Sequence, residues 1–144
     1  MRFDLKECVF ILNGREITEF ADGADSIDFA PNADIGQVTI GATGSGVFVA
    51  TNNNSVVVTF NLLQNSADNE FLSDLQNRQI KGLKTFETLS GYFKDTMNGD
   101  EYICTDGYFT TKGNFTRGNQ YNSQQWVITF IKGDRKLSKG WGNQ

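Results

Sequence analysis

The sequence predicts a mainly β protein, an antiparallel β-sandwich or barrel with one short flanking α-helix. Short segments alternate between apolar and polar residues, which is the period of a half-buried strand, and glycine or asparagine turns separate them. Only one segment has helical spacing, and glycine makes up 15 of the 144 residues whereas proline occurs once. Short connections favour hairpins over parallel βαβ units. The length fits one domain over residues 1–144.

A β-hairpin is predicted at the start of the chain. Residues 6–12 are rich in strand-forming side chains, Asn13-Gly14 is a strong two-residue turn signal, and residues 15–20 alternate as a returning strand should. Residues 21–34 lack this alternation and contain the one proline, so they are predicted to form a long acidic loop. The acidic side chains of interest in this loop are Asp22, Asp25, Asp28 and Asp34.

The middle of the chain predicts a second hairpin or a bulged strand, then a long strand and the helix. Residues 35–40 and 47–50 alternate on either side of a glycine-rich stretch, and residues 55–63 form the clearest strand. Ser66 has the character of a helix N-cap, and apolar residues recur at helical spacing up to about Arg78. The remaining predicted strands cover residues 85–93, 101–105, 108–111 and 125–131, with a turn at Asn98-Gly99.

Composition excludes several kinds of chemistry. The chain has no histidine, which removes Ser-His-Asp and Cys-His catalysis and imidazole metal sites. Its net charge of −4 lacks the basic excess of ordinary DNA-binding domains. Cys8 and Cys104 show no zinc or disulfide spacing, and the glycine-rich residues 41–46 lead into a strand rather than a phosphate-binding helix. We therefore expect no catalytic residues, no cofactor and no metal.

No signal peptide or membrane span is expected either. The longest apolar run near the start, residues 8–12, is too short for both. The absence of a disulfide framework agrees with synthesis in a reducing cytosol.

Two features are unusual for a monomer. Residues 8–12 and 126–131 are apolar on both strand faces, although a small antiparallel sheet normally leaves one face in water. Residues 1–74 contain 3 basic and 11 acidic side chains, whereas residues 75–144 contain 10 basic and 6 acidic ones. Both features can be explained within one subunit, if the helix covers part of the second sheet face and the acidic and basic halves interdigitate in the fold. They can also be explained by contacts between subunits, which would cover the apolar faces and pair the opposite charges head to tail.

A longer stretch resembles a known family. Residues 41–75 read Gly-Ala-Thr-Gly-Ser-Gly-Val-Phe-Val-Ala-Thr-Asn-Asn-Asn-Ser-Val-Val-Val-Thr-Phe-Asn-Leu-Leu-Gln-Asn-Ser-Ala-Asp-Asn-Glu-Phe-Leu-Ser-Asp-Leu, and residues 20–27 read Phe-Ala-Asp-Gly-Ala-Asp-Ser-Ile. Both resemble tail tube proteins of contractile-tailed bacteriophages. The strand that runs into residues 62–69 and the short helix is the most specific part.

The resemblance implies a β-sandwich or barrel related to the type VI secretion tube protein. Such subunits assemble into hexameric rings whose sheets join into one inner β-barrel, and the rings stack into a hollow tube. The implied partners are further copies of the chain and a tail sheath protein, while DNA passes through the lumen without specific binding. The implied location is the virion tail, assembled in the host cytoplasm and not in a membrane. A type VI system or a tail-like bacteriocin is an alternative context.

The tube architecture assigns roles to particular residues. The acidic loop would reach the adjacent ring, and polar strand residues would face the lumen because a DNA channel should offer no basic or stacking surface. The helix and the C-terminal tryptophan would contact neighbouring subunits. The inter-ring candidates are Asp22, Asp25, Asp28 and Asp34; the lumen candidates are Gln37, Thr39, Thr59 and Asn61; the interface candidates are Phe71, Leu72, Leu75 and Trp141.

A function of a different class stays open at this point. Tyr102, Tyr108 and Trp126 lie in an aromatic-rich second half that could bind carbohydrate. The alternative is therefore a monomeric β-sandwich binding module for carbohydrate or surface recognition.

Overall fold

The computed structural model describes residues 2–23 and 26–138 of the chain. Two short 3₁₀ turns, Leu5–Glu7 and Leu83–Thr85, accompany the strands and the helix. The strands are β1 (Cys8–Leu12), β2 (Arg15–Ile17), β3 (Ile27–Pro31), β4 (Gly36–Ile40), β5 (Gly46–Ala50), β6 (Val56–Leu63), β7 (Leu89–Asp95), β8 (Glu101–Thr111) and β9 (Ser123–Lys136), and the helix is α1 (Asp68–Lys81).

Seven strands form one antiparallel sheet in the order β2-β1-β7-β8-β9-β6-β3, and β4 pairs only with β5. The sheet curves over itself. Three strands lie between β1 and β6 in the sheet, yet the Phe10 ring of β1 and the Phe60 ring of β6 are in contact, with centroids 5.3 Å apart. Phe29 of β3 likewise stacks on Tyr102 of β8 at 4.7 Å. The sheet keeps two edges and is not a closed barrel, and the sandwich-like antiparallel fold with one helix confirms the predicted fold class.

The core lies inside this curve. Alternate residues of β6 are buried and half-buried, as its sequence predicts, and α1 contributes Leu72 to the core. The largest fully buried side chains are Phe10, Phe60, Phe130, Leu12, Ile17, Leu62, Leu72, Leu89 and Ile128. On the opposite face Val9, Ile11 and Val127 are half-buried.

The hairpin signal at the start is confirmed in detail. Asn13 and Gly14 both have positive φ, 51° and 83°, which is the geometry of a type I′ turn. The Asn13 side chain also accepts a hydrogen bond of 2.8 Å from the Ser90 N–H and so fastens the turn to β7.

Several predicted boundaries are wrong. β2 ends at Ile17 and not at residue 20, β7 begins at Leu89 and not at residue 85, and β9 covers Ser123–Lys136 and not residues 125–131. Part of the predicted acidic loop is the strand β3, which pairs with β6 over five residue pairs. Three of its five residues, Asp28, Ala30 and Pro31, have low strand propensity, so only the pairing with β6 makes this segment a strand. The predicted strands at residues 101–105 and 108–111 are one strand, β8, bent at Asp106 with φ 57°. The helix continues three residues beyond Arg78, and Ser66 accepts from the Asp68 N–H at 3.2 Å ahead of it.

Candidate functional site

β4, β5 and their turn project from the sheet as a two-stranded arm, which we define as residues 35–51. The Thr51 N–H donates to the Ile35 carbonyl at 2.8 Å, and the strands pair from Gly36 and Ala50 to Ile40 and Gly46. Every residue from 37 to 50 is exposed, and the arm has no charged residue. More than half of the surface is exposed for Ile35, Val38, Ile40, Val47, Phe48 and Val49. Exposed apolar side chains in this number mark an interaction site.

One face of the arm is flat and apolar. Val38 and Phe48 are cross-strand partners and project to the same side, together with Ile40 two residues along the strand. The Phe48 ring lies over Gly36 and leaves no room for a Cβ there, and Ile40 Cδ1 lies 3.1 Å from the Cβ position of Gly46. Both glycines therefore let large side chains lie down against the backbone, which flattens the face.

The arm and α1 lie at opposite ends of β6. The arm continues the β3–β6 ladder, in which the Asn32 N–H donates to the Ser55 carbonyl at 3.1 Å, and it leaves β6 at its N-terminal end. α1 follows the C-terminal end of the same strand. At 3.3 Å per residue the eight residues of β6 separate these two ends by about 26 Å.

The sheet has a free edge at β3. The Asn61 N–H donates to the Ser26 carbonyl, so even-numbered residues of β3 bond to β6 and odd-numbered ones direct their backbone outward. The outward groups belong to Ile27, Phe29 and Pro31, and Pro31 has no N–H to donate. This edge is a template for pairing with another strand, limited at one end by the proline.

The predicted inter-ring aspartates follow this edge. Asp22 lies beside a small apolar pocket, Asp28 is exposed on β3, and Asp34 is exposed at the base of the arm. Asp25 lies outside the described residues. The three described carboxylates thus follow the path from the β2–β3 connection to the arm.

The predicted lumen residues fall into two separate places. Thr59 and Asn61 lie on the outer face of β6, where Thr59 is the cross-strand partner of Asp28 on one side and of Val127 on the other. Gln37 and Thr39 lie on the arm, on the face opposite Phe48. No basic side chain lies directly beside the β6 pair on its face of the sheet. Its same-face neighbours on β3, β6 and β9 are Asp28, Ala30, Val57, Leu63, Gln125, Val127 and Thr129.

The predicted interface helix is largely committed to the chain's own core. Leu72 is fully buried and presents no surface to a neighbour, and Leu75 is only 9% exposed. Phe71 is half-buried beneath the Arg15 guanidinium, which lies 5.0 Å from the ring centroid. Trp141 lies outside the described residues. Among the described candidates, Phe71 offers the most surface that a neighbour could touch.

A groove runs between α1 and the segment that leads into β7, and we call it the α1 groove. Its volume is about 1000 Å³. Phe71, Leu75 and Phe86 supply apolar surface, and the Asn77 and Thr88 side chains supply polar groups that are not hydrogen-bonded within residues 2–23 and 26–138. The further lining residues are Asn13, Asp74, Arg78, Lys81, Gly82, Thr85, Glu87 and Ser90.

The titratable groups are not arranged for catalysis. Burial raises the pKa of the Cys104 thiol to about 12, and burial together with nearby carboxylates, Asp95 first, raises that of Cys8 to about 11. Both thiols are therefore protonated and weakly nucleophilic near neutral pH. Among the residues that the structure describes, no three acidic or cysteine side chains converge on a metal position.

The aromatic residues considered for carbohydrate binding do not form an exposed platform. Trp126 is 6% exposed, and its indole N–H donates to Asn69 Oδ1 at 2.9 Å. Tyr102 is sandwiched between the Phe29 ring and the Arg135 guanidinium, and Tyr108 packs near Phe86. Their roles in the structure are packing roles.

Comparison with known families decides the identity of the fold. Residues 13–138 match the family model described as bacteriophage PhiTE tail tube protein. The chain belongs to this tail tube family. It is therefore a structural protein of a virion tail, and the resemblance seen in residues 41–75 is confirmed.

Solved structures support the tail tube fold. The anti-feeding prophage cap, which terminates its tube, is 12% identical with a TM-score of 0.58 over 96% of this chain and 93% of that chain. A chain of the PVC sheath–tube complex, an extracellular contractile injection system, is 9% identical, with a TM-score of 0.58 over 94% of this chain and 92% of that chain. A chain of the PVC sheath/tube terminator is 7% identical, with a TM-score of 0.57 over 95% of this chain and 98% of that chain. No curated protein sequence matches the chain.

The separation of the arm from the main sheet is a feature that sequence reasoning missed. Residues 35–40 and 47–50 were predicted as strands, but their separation from the main sheet was not. A partial signal was available, because residues 35–51 contain six large apolar side chains and no charged one, and exposed apolar patches mark interaction sites. In the described part of this family member, no helix is long and apolar enough to cross a membrane.

Proposed function

We propose that copies of this chain form hexameric rings that stack into a hollow tail tube, through which DNA passes during ejection. The observation that carries the proposal is the arm, which exposes six large apolar side chains without a single charge. Full burial of each such side chain is worth roughly 1.5–3 kcal/mol, so assembly has a substantial driving force available. Membership in the tail tube family agrees with this use.

Lateral contacts within a ring would use the free edge of β3. Strand addition there satisfies the outward backbone groups of Ile27 and Phe29 and removes an edge that otherwise invites aggregation. Joining sheets edge to edge in this way extends each seven-stranded sheet into the continuous wall that a tube requires.

Asp22, Asp25, Asp28 and Asp34 are proposed to contact the basic C-terminal half of a neighbouring subunit. The acidic excess of residues 1–74 and the basic excess of residues 75–144 favour such heterologous contacts, which propagate along an axis instead of closing after two copies. Phe71 and Trp141 remain candidate contacts of the helix and the C-terminal end.

The outer face of β6 is proposed to line the channel, with Thr59 and Asn61 directed toward DNA. The residues of β3 and β9 directly beside this pair on the same face include the Asp28 carboxylate and no lysine or arginine, so this part of the surface neither neutralises phosphates nor retains the DNA. Gln37 and Thr39 are also proposed to face the lumen. Because they lie on the arm, they would line the channel only near a junction between subunits.

A tail sheath protein is the proposed external partner, and assembly is proposed to take place in the host cytoplasm. Solved structures with the same fold come from sheath–tube assemblies. No catalytic role is proposed, because the tube function requires surfaces and not reactive groups.

Electron microscopy of negatively stained, concentrated protein tests the proposal. The unaltered chain should form rings or hollow tubes. Phe48→Asp should form no stacked tubes, leaving single rings or monomers, with an unchanged circular dichroism spectrum, since it places a charge on the apolar face of the arm. Asn119→Asp, in an exposed loop, is the charge-matched control and should assemble. Monomers for all three proteins would contradict the tube and favour a binding module, and tubes for all three would exclude the arm from the contact.

A further inference from the structure

We propose that Trp141 docks into a pocket of its own chain, at the end of the sandwich where β9 ends, and we call it the Tyr102 pocket. Trp141 itself lies outside the described residues, which end at Ser138 beside this pocket. The pocket has a volume of about 270 Å³ and is lined by Phe29, Phe93, Asp100, Glu101, Tyr102, Arg135 and Leu137.

The core is incomplete at this pocket. The rings of Phe29, Phe93 and Tyr102 pack against the core but are only half-buried, and Leu137 is 70% exposed. A side chain placed over them would remove this apolar surface from water. The pocket volume lies just below the range of about 300–1,000 Å³ for small-molecule sites, so the pocket fits one large side chain better than a ligand.

The course of the chain brings Trp141 to the pocket. The Ser138 N–H donates to Asp100 Oδ1 at 2.8 Å, so residues 139–144 start at the pocket wall. Trp141 is three residues further on, a reach of at most about 11 Å. Gly140 and Gly142 flank it and permit the chain to turn back. A tether this short gives an effective concentration in the millimolar range, which favours docking within the chain over docking on another copy.

The lining of the pocket suits an indole. The exposed Arg135 guanidinium lies 5.3 Å from the Tyr102 ring centroid, and its outward side is available to a second aromatic ring. A buried indole N–H requires an acceptor. The second carboxylate oxygen of Asp100, Oδ2, accepts no hydrogen bond from the described residues and can fill this role.

The charges of the segment and the pocket also match. Asp100 and Glu101 lie in the pocket wall, and Lys139 carries the one charged side chain of residues 139–144. Because Lys139 follows Ser138 directly, its ammonium group would lie near these two carboxylates and be attracted to them.

Docking would also brace the free edge of the sheet. Phe29 belongs to β3 and stacks on Tyr102 of β8 with ring centroids 4.7 Å apart. An indole packed beside this pair would hold β3 in place. The docked indole would keep surface on the side of the exposed Leu137, so docking is compatible with a contact between Trp141 and a neighbouring subunit.

Tryptophan fluorescence of dilute, unassembled protein tests the docking. The chain has two tryptophans, so Trp126→Phe leaves Trp141 as the single reporter. Acrylamide quenching is compared for this parent protein, for Leu137→Asp in the same background, and for Leu83→Asp as the matched control. Leu83 is 64% exposed, close to the value for Leu137, but it does not line the pocket. Equal melting temperatures check that the variants fold.

Trp141 should be shielded in the parent and in the Leu83→Asp control. Leu137→Asp should raise the quenching constant about threefold or more, because docking would then desolvate a carboxylate beneath the indole. Quenching as strong in the folded parent as in urea would overturn the proposal, and so would shielding that Leu137→Asp leaves unchanged. Shielding that increases with protein concentration would overturn it in favour of docking on another copy.

A stability measurement covers the case in which Trp126→Phe does not fold. With Trp126 retained, Trp141→Ser should lower the urea midpoint of the unaltered chain but not that of Leu137→Asp, because the two side chains share one contact. Equal shifts in both backgrounds, or no shift in either, would overturn the docking. Neither measurement requires rings or tubes, so failure of this inference is distinguishable from failure of the tube proposal.

Discussion

Gln79 of α1 acts as a strand partner for Phe109 of β8. The Gln79 amide donates to the Phe109 carbonyl and accepts from its N–H, and both hydrogen bonds are 2.8 Å long. β7 pairs with β8 only as far as Gly107, so the backbone of Phe109 would otherwise lack partners on that side. The helix thereby closes an edge that the neighbouring strand leaves open.

We expect Gln79→Ala to lower the free energy of unfolding by about 1–3 kcal/mol, because it leaves two backbone groups of β8 without partners. Urea denaturation of unassembled protein measures the change. Asn77→Ala on the same helix is the matched control and should change stability by less than about 0.5 kcal/mol, since Asn77 is exposed. Equal effects of the two substitutions would show that the paired hydrogen bonds are not stabilising.

Gly107 is required because the Phe130 ring lies against its backbone. A Cβ at this position would lie 2.5 and 2.6 Å from two ring carbons, closer than packing permits. We expect Gly107→Ala to destabilise the fold by about 1–3 kcal/mol, as overpacking of a core does. Gly118→Ala is the control, because open space surrounds that glycine. A thermal melt compares the two, and an unchanged melting temperature for Gly107→Ala would contradict the packing argument.

Two of the ion pairs among the described residues differ strongly in burial. Asp68 is 5% exposed and accepts from Arg15 Nε at 2.8 Å and from the Thr18 N–H at 2.9 Å, which ties β2 to the start of α1. Asp74 and Arg78 are paired at 2.8 Å on the exposed surface of the helix.

Asp68→Ala should therefore cost about 1–3 kcal/mol of stability, since it removes the buried carboxylate that accepts two part-buried hydrogen bonds, one of them from a guanidinium. Asp74→Ala should cost less than about 1 kcal/mol, because exposed pairs are screened by water and salt. Denaturant midpoints of both variants in low and high salt check the contrast. Similar losses would mean that the Asp68 interactions are as weak as surface ones.

Thiol protonation predicts a loss of stability in alkaline solution. Burial raises the pKa of Cys104 from 9.0 to about 12, so between these values the unfolded chain loses a proton that the folded chain keeps. The free energy of unfolding contributed by this group is fully present below pH 9 and falls as the pH rises toward about 12. Cys104→Val should flatten this part of the stability profile, and identical slopes for both proteins would contradict the prediction.

Local signals in the sequence identified elements whose causes are themselves local. The Asn13-Gly14 turn is determined by residues that tolerate positive φ, and α1 follows from apolar residues spaced to one helical face. β6 is equally clear because its buried residues alternate along a single strand. β3 escaped prediction because Asp28 and Pro31 are poor strand formers, and only pairing with β6 makes them part of a sheet.

The candidate site was predicted less completely for a related reason. Alternation marks which residues of β4 and β5 share a face, but it does not say whether that face has a partner within the chain. The same limit applies to Leu72 and Leu75, whose spacing is identical for a helix that covers its own core and for one that contacts a neighbour.

The sequence by itself determined the strand-rich class, the lack of histidine chemistry, the opening turn, the helix and the kinship with tail tube proteins. The tertiary structure decided that the sheet folds over itself, that β3 supplies its free edge, and that residues 35–51 stand apart from it as an uncharged arm. The reason is physical: turn and helix preferences act between residues close in sequence, whereas strand partners and exposed surfaces depend on contacts between residues far apart in the chain.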